Sequence, residues 1–460
     1  MSPPLGRQFA RPIVSCMALS IGLIAFVPAF ADPTTPHSLE ERADDNRVFR
    51  INSHVTVSGS LETAAGGGKS VSHDLKVDAR LKYRERRLSG TGRDAEALRS
   101  LRQYESAQAT INVAKQITSS RLRNSRRQIV AQGRREGIEL ASPSGPMTFG
   151  ELELLHTPGD VMAIRSMLPQ GAVAIGDDWD TNSWTIQMFT STEAVLESEL
   201  KCKLDSIVKD VAKVTIHGSI KGATDGASTD IKLSGHYLFD LKRSFITQLE
   251  LEQKEKRSVG PVTPGMDIVA RVLLKRALAA DEGPLDDATV ASIPLEMDES
   301  LLMLELRTPW NLQFQHGRGW HIFHQSGRVA VLRLLDKGSL IAQCNISKIA
   351  DAKPGRHTSE EQFQKDIRTA LGEKLKEVAQ AELLTRDDKE FRYRVTAVGE
   401  SNGLAMTWLY YLCADQSGHQ VAFVFAVETK LLDQLGNRDL GMIQSLQFLE
   451  SNVRPASVEP

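Results

Sequence analysis

The residues best suited to chemistry are few and scattered. Asp177-Asp178-Trp179-Asp180 crowds three carboxylates, hard oxygen ligands of the kind that calcium takes. A calcium loop also needs a glycine turn inside it and a distal bidentate carboxylate, whereas Gly176 precedes the cluster; the competing reading is a helix N-terminal cap with Trp179 packed on the domain. His316, His321 and His324 form the densest histidine group, but on a strand His321 and His324 point to opposite faces, so zinc would join them only across a bend. Gly66-Gly67-Gly68-Lys69-Ser70 has the form of the end of a phosphate-binding loop. Thr63 stands where that motif needs glycine, and an alternating pattern follows where it needs a helix, so the segment reads as a hairpin loop. For hydrolysis there is no Gly-x-Ser-x-Gly elbow, no His-Glu-x-x-His pair and no Cys-Gly-x-Cys neighbourhood. A site assembled from distant residues stays open, with Asp177, Asp178, His217 and His236 as candidates. Asn345-Ile346-Ser347 has the form of a glycosylation acceptor but falls inside a predicted strand. No catalytic, cofactor-binding or metal residue is assigned, and no cofactor is implied.

The N-terminus has the order of a secretory signal peptide. Arg7 and Arg11 are followed by an apolar run from Ile13 to Val27 and then by Pro28-Ala29-Phe30-Ala31 before Asp32. The run is short against the roughly 20 residues that cross a bilayer, so cleavage after about Ala31 is expected, with no transmembrane anchor left behind. Cys16 is not placed as a lipid-attachment site, because most of the apolar run comes after it. The expected location is secreted or periplasmic.

The 460 residues, 41% hydrophobic and 25% charged, are enough for two or three domains with sizeable cores. A formal net charge of −2 gives no reason to expect nucleic acid as a partner. Charge is nevertheless segregated: from Lys76 to Arg135 basic residues dominate, whereas from Glu136 to Leu200 Arg165 is the only Lys or Arg among many carboxylates. Two such blocks can neutralise each other within one folded domain. Beyond the leader, Cys202, Cys344 and Cys413 are too few for a disulfide framework. Cys202 is in phase with Leu196, Leu200 and Leu204 on a core face, and Cys344 and Cys413 lie on strands that would let them bond if those strands pair.

What must position these residues is mostly sheet. After a polar lead (32–46), strict alternation through Val55, Val57 and Leu61, and again through Leu75, Val77, Ala79, Leu81 and Tyr83, predicts a long half-buried hairpin. Val214-Thr215-Ile216-His217-Gly218-Ser219-Ile220 echoes Val55-Thr56-Val57-Ser58-Gly59-Ser60-Leu61, as a duplication or as two hairpins under one rule. Strands near 109–113, 128–132 and 137–141, helices near 149–155, 161–168 and 183–192, then strands at 194–207, 211–220, 231–241, 245–256 and 268–276 complete a domain over 47–278. An acidic stretch with Pro284 and Pro294 predicts a linker at 279–300. The second domain, 301–450, should hold strands near 301–307, 320–323, 329–335 and 340–346. A helix follows, opened by a Thr358/Glu361 capping box and carrying Phe363, Ile367, Leu371, Leu375 and Val378 on one face. Strands at 391–398, 405–414 and 420–427, a helix at 440–446 and a tail at 451–460 finish the chain. The class is α+β: a large, long-stranded antiparallel sheet with covering helices, then a smaller antiparallel α/β sandwich.

Gly319-Trp320, the single central helix, Trp408-Leu409-Tyr410-Tyr411 and the closing Ser445-Leu446-Gln447-Phe448 give residues 318–449 a pattern that resembles the PsbP-like fold. That resemblance implies a noncatalytic accessory or binding domain, with no ligand residue carried over. The N-terminal half loosely resembles the lipoprotein-carrier half-barrel, which implies a curved sheet holding helices over an apolar concavity. The function expected is a nonenzymatic exported protein of the cell envelope that binds an apolar ligand or another protein. The alternatives are an extracytoplasmic hydrolase with an unrecognised site and a purely structural envelope protein.

Overall fold

The computed structural model describes residues 35–42, 46–65, 69–88, 94–294, 297–386 and 390–449. The segment expected to be a signal peptide, Gly66-Gly67-Gly68 with the hairpin loop expected there, and the expected tail lie outside the described residues. Among the described residues no helix is long and apolar enough to cross a membrane.

The first half builds β1 (Val48–Ala65), β2 (Lys69–Arg87), β3 (Arg99–Val113), β4 (Gln116–Arg121), β5 (Gln128–Arg134), β6 (Gly137–Ala141) and β7 (Met147–Thr148). Helices α1 (Phe149–Leu155) and α2 (Val161–Ser166) follow, then β8 (Asp178–Asp180) and α3 (Ser183–Thr190). A second run supplies β9 (Ala194–Ser198), β10 (Lys201–Val208), β11 (Val211–Thr224), β12 (Ala227–Asp240), β13 (Phe245–Arg257) and β14 (Gly265–Leu278). Together they form a 13-stranded sheet in the order β6-β5-β3-β2-β1-β14-β13-β12-β11-β10-β8, with β4 on β3 and β9 on β11. Two meanders are thus joined where β1 pairs antiparallel with β14. The echoed motifs share a backbone feature: Gly59 and Gly218 have φ of 150° and 157°. A Cβ at either would lie 2.1 Å from the Asp267 carbonyl oxygen or 2.5 Å from that of Glu199.

Alternation along each strand puts one row of side chains into a continuous core. Val55, Leu81, Leu204, Ile216, Leu233, Leu251 and Val272 of the sheet are buried together with Leu152, Met162, Ile164, Ile186 and Phe189 of α1–α3 and with Met167 just after α2. The helices begin at side-chain caps: Thr148 and Glu151 close a capping box on α1, Asp160 caps α2 and Asn182 caps α3. The two charge blocks do meet. Buried Arg102 donates to both oxygens of Asp160 at 2.8 and 2.7 Å, Arg123 pairs with Glu151 at 2.7 Å, and Arg134 with Glu139 at 2.7 Å. Buried Glu41, from the polar lead, accepts from Arg87, from Arg276 at 2.7 and 2.9 Å and from the Ile246 amide at 2.6 Å.

The stretch expected as a linker holds α4 (Asp287–Ser292) and α5 (Glu299–Leu302). Its Leu285 and Ile293 are buried with Val48, Leu101 and Val130, and Arg86 donates to the Leu285 carbonyl at 2.8 Å.

The second half contains β15 (Leu304–Arg307), β16 (Leu312–His316), β17 (Trp320–Gln325), β18 (Val329–Asp336), β19 (Ser339–Ile349) and α6 (Glu360–Leu371). It continues with β20 (Leu375–Arg386), β21 (Glu390–Ser401), β22 (Leu404–Asp415), β23 (Gln420–Glu428), α7 (Leu432–Leu435), α8 (Arg438–Gln444) and β24 (Gln447–Phe448). A seven-stranded antiparallel sheet runs β17-β18-β19-β23-β22-β21-β20. On one face, Phe363, Ile367 and Leu371 of α6 pack on Tyr393, Trp408 and Tyr410. On the other, Leu435, Met442 and Ile443 of α7 and α8 pack on Tyr411, Phe423 and Phe425. Covered on both sides, β22 is buried from Thr407 through Ala414, which is why its sequence reads as an unbroken apolar run. A four-stranded sheet, β24-β16-β15-β7, ties the halves together, with β7 parallel to β15 and Arg123 reaching Glu305 at 3.0 Å.

Several expectations are corrected. The helix near 360 ends at Leu371, capped by Ser359 rather than Thr358, and Gly372 (φ 52°) turns the chain into β20. Leu375 and Val378 therefore belong to a strand. Bulges between Leu375 and Glu377 and between Val378 and Gln380 each add a residue, which stretches the period of two into a spacing that imitates a helix. The strand expected over 194–207 is broken at Glu199-Leu200, so Leu196 is 74% exposed while Cys202 and Leu204 are buried. β16 was not foreseen. Cys344 and Cys413 do not bond: β23 separates β19 from β22, and Cys202, Cys344 and Cys413 are all free and buried.

Candidate binding cleft

The polar face of the large sheet collects Asp178, Asp180, His217 and His236 of the residues singled out from the sequence. Strand register sets two rows across it, Asp180–Lys201–His217–Ser234–Glu252–Arg271–Thr56 and Asp178–Lys203–Thr215–His236–Glu250–Leu273–His54. Asp178, His217 and His236 thus share a face, but Lys203 and Thr215 stand between Asp178 and His236. At about 4.8 Å per strand that keeps acid and imidazole about 14 Å apart. Asp178 pairs instead with Lys201 at 3.6 Å, and Asp177 accepts from the Ala174 amide at 2.8 Å, a turn contact. Trp179 packs on the domain and donates its indole N–H to the Met167 carbonyl at 2.9 Å; the helix cap is Asn182, not the aspartates. A shallow depression of about 530 Å³ lies along the rows, between His54 and His236.

Sequence reasoning missed one His–Asp pair on this face. His54 Nε2 lies 3.0 Å from Asp78 Oδ2, and that hydrogen bond, with Arg80 beside it, holds the Asp78 carboxyl below its usual range. Both sit on the polar face of the first hairpin, and the register that pairs Thr56 with Asp78 brings His54 beside it. Among the described residues no hydroxyl or thiol hydrogen-bonds to His54, so the pair lacks a nucleophile.

The second histidine group does not converge either. His316 is buried on β16, where desolvation pushes its imidazole down to about 4 and its Nδ1 lies 3.0 Å from the Gly317 carbonyl. His321 stands edge-on to Phe149 and 3.9 Å from Asp225, and His324 is exposed. Among the described residues no three His, Cys, Asp or Glu side chains are placed to hold a metal ion.

A more enclosed site lies at one end of the second half, where the turns β15–β16, β17–β18 and β22–β23, the end of β19 and Phe448-Leu449 surround a cleft of about 650 Å³. Each wall has its own support. In the first turn Asn311 adopts φ 64°, a conformation asparagine tolerates, and its carbonyl accepts from the Leu449 amide at 2.8 Å. Trp310 packs its ring on the core beside Leu312, and its shielded indole N–H has no acceptor among the described residues. The Arg328 carbonyl takes the Lys348 amide at 2.9 Å. Buried Gln420 donates to the Ala350 carbonyl at 2.9 Å and accepts from the Thr358 amide at 2.7 Å, holding the segment that leads into α6. His419 is oriented by Asp415, with Nδ1 3.0 Å from Oδ2, and Lys348 lies 3.6 Å from Asp351. Pro309, Asn311 and Gly327 announce turns in the sequence, but only the sheet order brings those turns to one end.

No family model matches the chain, and no curated protein matches it in sequence. Among solved structures, lipovitellin, studied for its lipid–protein interactions, aligns at 8% identity with a TM-score of 0.30 over 52% of this chain, which spans 26% of that one. DynF from the dynemicin biosynthesis pathway of Micromonospora chersina aligns at 10% identity and a TM-score of 0.16, over 60% of this chain and 96% of that one. A putative AttH from Nitrosomonas europaea aligns at 8% identity and 0.15, over 87% and 99%. At these scores the likeness does not extend to family.

Proposed function

We propose that this is an exported, noncatalytic binding protein of the cell envelope, secreted or periplasmic after loss of residues 1–31. In this reading the first half is the scaffold and the second half is a PsbP-like accessory domain that carries the ligand site. The observation that supports it most is the cleft at the end of the seven-stranded sheet. Its volume falls within the roughly 300–1,000 Å³ of small-molecule sites, and its mostly polar lining, held by the fold, also includes Trp310 and Phe448. Residues of α1–α3 are buried against the large sheet's apolar face, which supports looking for the ligand in the second half. The histidines and carboxylates a hydrolase would use are spread along an open sheet with lysines between them, an arrangement suited to a solvated face.

Native mass spectrometry of the protein purified from its own host tests the proposal. The expected species begins at or within a few residues of Asp32 and carries a small molecule that Trp310→Ala no longer retains. An intact Met1 on cytoplasmic protein would refute export, and a ligand retained equally by Trp310→Ala would refute the site.

A further inference from the structure

The two halves meet across a narrow, largely polar seam. Its backbone pairing is two residues long, Leu304 with Met147 and Glu305 with Thr148, and Gly226 abuts Gly338 where two turns touch. Single side chains add to it: Arg123 bonds to Glu305, His321 faces Asp225 at 3.9 Å, and Arg333 donates to the Pro261 carbonyl. Arg318 reaches the Leu140 carbonyl of the first half while it holds that of Leu302 at 3.0 Å. Such a joint opens at lower cost than either apolar core.

Two neutral imidazoles lie in it. His156, half-buried at the end of α1, has Nε2 3.1 Å from the Ile138 carbonyl, and burial together with the Arg318 guanidinium brings it from 6.5 down to about 4. Asp160 and Arg102 also face it, but they are spent on each other. His316 stands opposite Leu304, one strand from β7, and is 2% exposed. Its Nε2 has no partner among the described residues, and burial, with His321 beyond, holds it at about 4 as well. Three carboxylates near His321 pull the other way: burial, and Asp225 beside the two glutamates, raise Glu153, Glu193 and Asp225, with Arg257 already paired to Glu255. Glu153 and Glu193 are exposed, however, so water screens their repulsion, whereas a charge on His316 meets almost no solvent. The imidazoles therefore set the sign.

We infer that the seam is an acid-sensitive joint, closed while His156 and His316 are neutral and opened when they take up protons, so that the halves part while each sheet stays folded. An imidazole depressed on closure stabilises the closed form above its ordinary value, and that stabilisation is lost as pH falls toward the depressed one. A ring at about 4 when closed and 6.5 in water raises the ratio of open to closed by about 30-fold between pH 7.5 and pH 5, and two rings raise it by roughly 10³-fold.

Hydrogen exchange of the full chain, read by mass spectrometry at pH 7.5 and pH 5 and corrected for intrinsic exchange at each pH, tests the inference. Seam amides in 138–148 and 302–308 should lose roughly 10³-fold in protection at pH 5, while those of β12 and β22 change by less than about threefold. His156→Gln and His316→Asn keep a side-chain N–H for the Ile138 and Gly317 carbonyls but cannot take up a proton. Each should cancel about 30-fold of the loss and the double variant nearly all of it, whereas His236→Gln on the open sheet face should cancel none. Either single variant suffices if the other does not fold. Equal loss in β12 and β22 would mean unfolding of the whole chain rather than a joint, and would overturn the inference. So would a loss that the variants leave undiminished, or seam protection that rises at pH 5, as the carboxylates alone would produce.

Discussion

Glu41→Gln offers the sharpest test of how the first half is held together. Glu41 has no exposed side-chain surface and sits between Arg87 of β2 and Arg276 of β14, with the Arg276 guanidinium 3.7 Å from the centre of the Phe49 ring. Burial by itself would raise its carboxyl, but Arg276 and Arg87, with the Ile246 amide, outweigh it and bring the value down from 4.5 to about 2. A carboxyl depressed on folding stabilises the fold above its unfolded value, and that stabilisation is lost as pH falls toward the folded one. The drop from 4.5 to about 2 corresponds to about 3 kcal/mol at pH 7, of which about 1 kcal/mol remains at pH 3. Glutamine keeps the shape but leaves two buried guanidinium groups without their counterion, so the neutral-pH cost should be about 3–5 kcal/mol. Urea melts of both proteins at pH 7 and pH 3 should show the gap narrowing by about 2 kcal/mol as wild-type Glu41 takes up its proton. A gap below about 0.5 kcal/mol at pH 7, or one that does not change with pH, would refute the reasoning.

Other expectations follow from packing and backbone geometry. Leu371→Ala should cost about 2–5 kcal/mol in urea melts because Leu371 is buried with Phe363 and Ile367 beneath the sheet, whereas Lys365→Ala on the exposed face should cost about 0.5 kcal/mol or less. Gly226→Ala puts a Cβ 2.3 Å from the Gly338 carbonyl oxygen at φ 74°, while Gly403→Ala has the similar φ of 76° in open space. The first should therefore cost at least about 1 kcal/mol more than the second, and equal melts would mean that the two turns do not touch as described. Native protein should react slowly with a thiol reagent, since burial pushes the Cys202 and Cys413 thiols up to about 12. Denaturation without reductant should release the thiols of Cys202, Cys344 and Cys413, and failure of any of the three to react would indicate a disulfide.

The periodicities that depend only on near neighbours were legible in the chain. Alternation around Val55 and Leu75 marked the first hairpin, and Phe363, Ile367 and Leu371 marked the face of α6. The complementary charge blocks implied neutralisation within one domain, and Arg102 with Asp160 and Arg123 with Glu151 are pairs of that kind. Local pattern misled where a bulge changed the period, as at Leu375 and Val378, because a stretched strand and a helix then present the same spacing.

What needed the tertiary structure was every question of which distant segments meet. The pairing of β1 with β14, the insertion of β23 between the strands of Cys344 and Cys413, and the register that joins His54 to Asp78 leave no mark in a local window. The cleft around Trp310, Arg328 and Lys348 is the extreme case, since it is made of ordinary turn residues whose only unusual property is that sheet order brings them to one end. Side-chain alternation is imposed by the backbone of one strand and so is written along the chain. Strand order is chosen by the joint burial of many apolar rows and the closure of backbone hydrogen bonds across the whole sheet, which no short segment encodes alone.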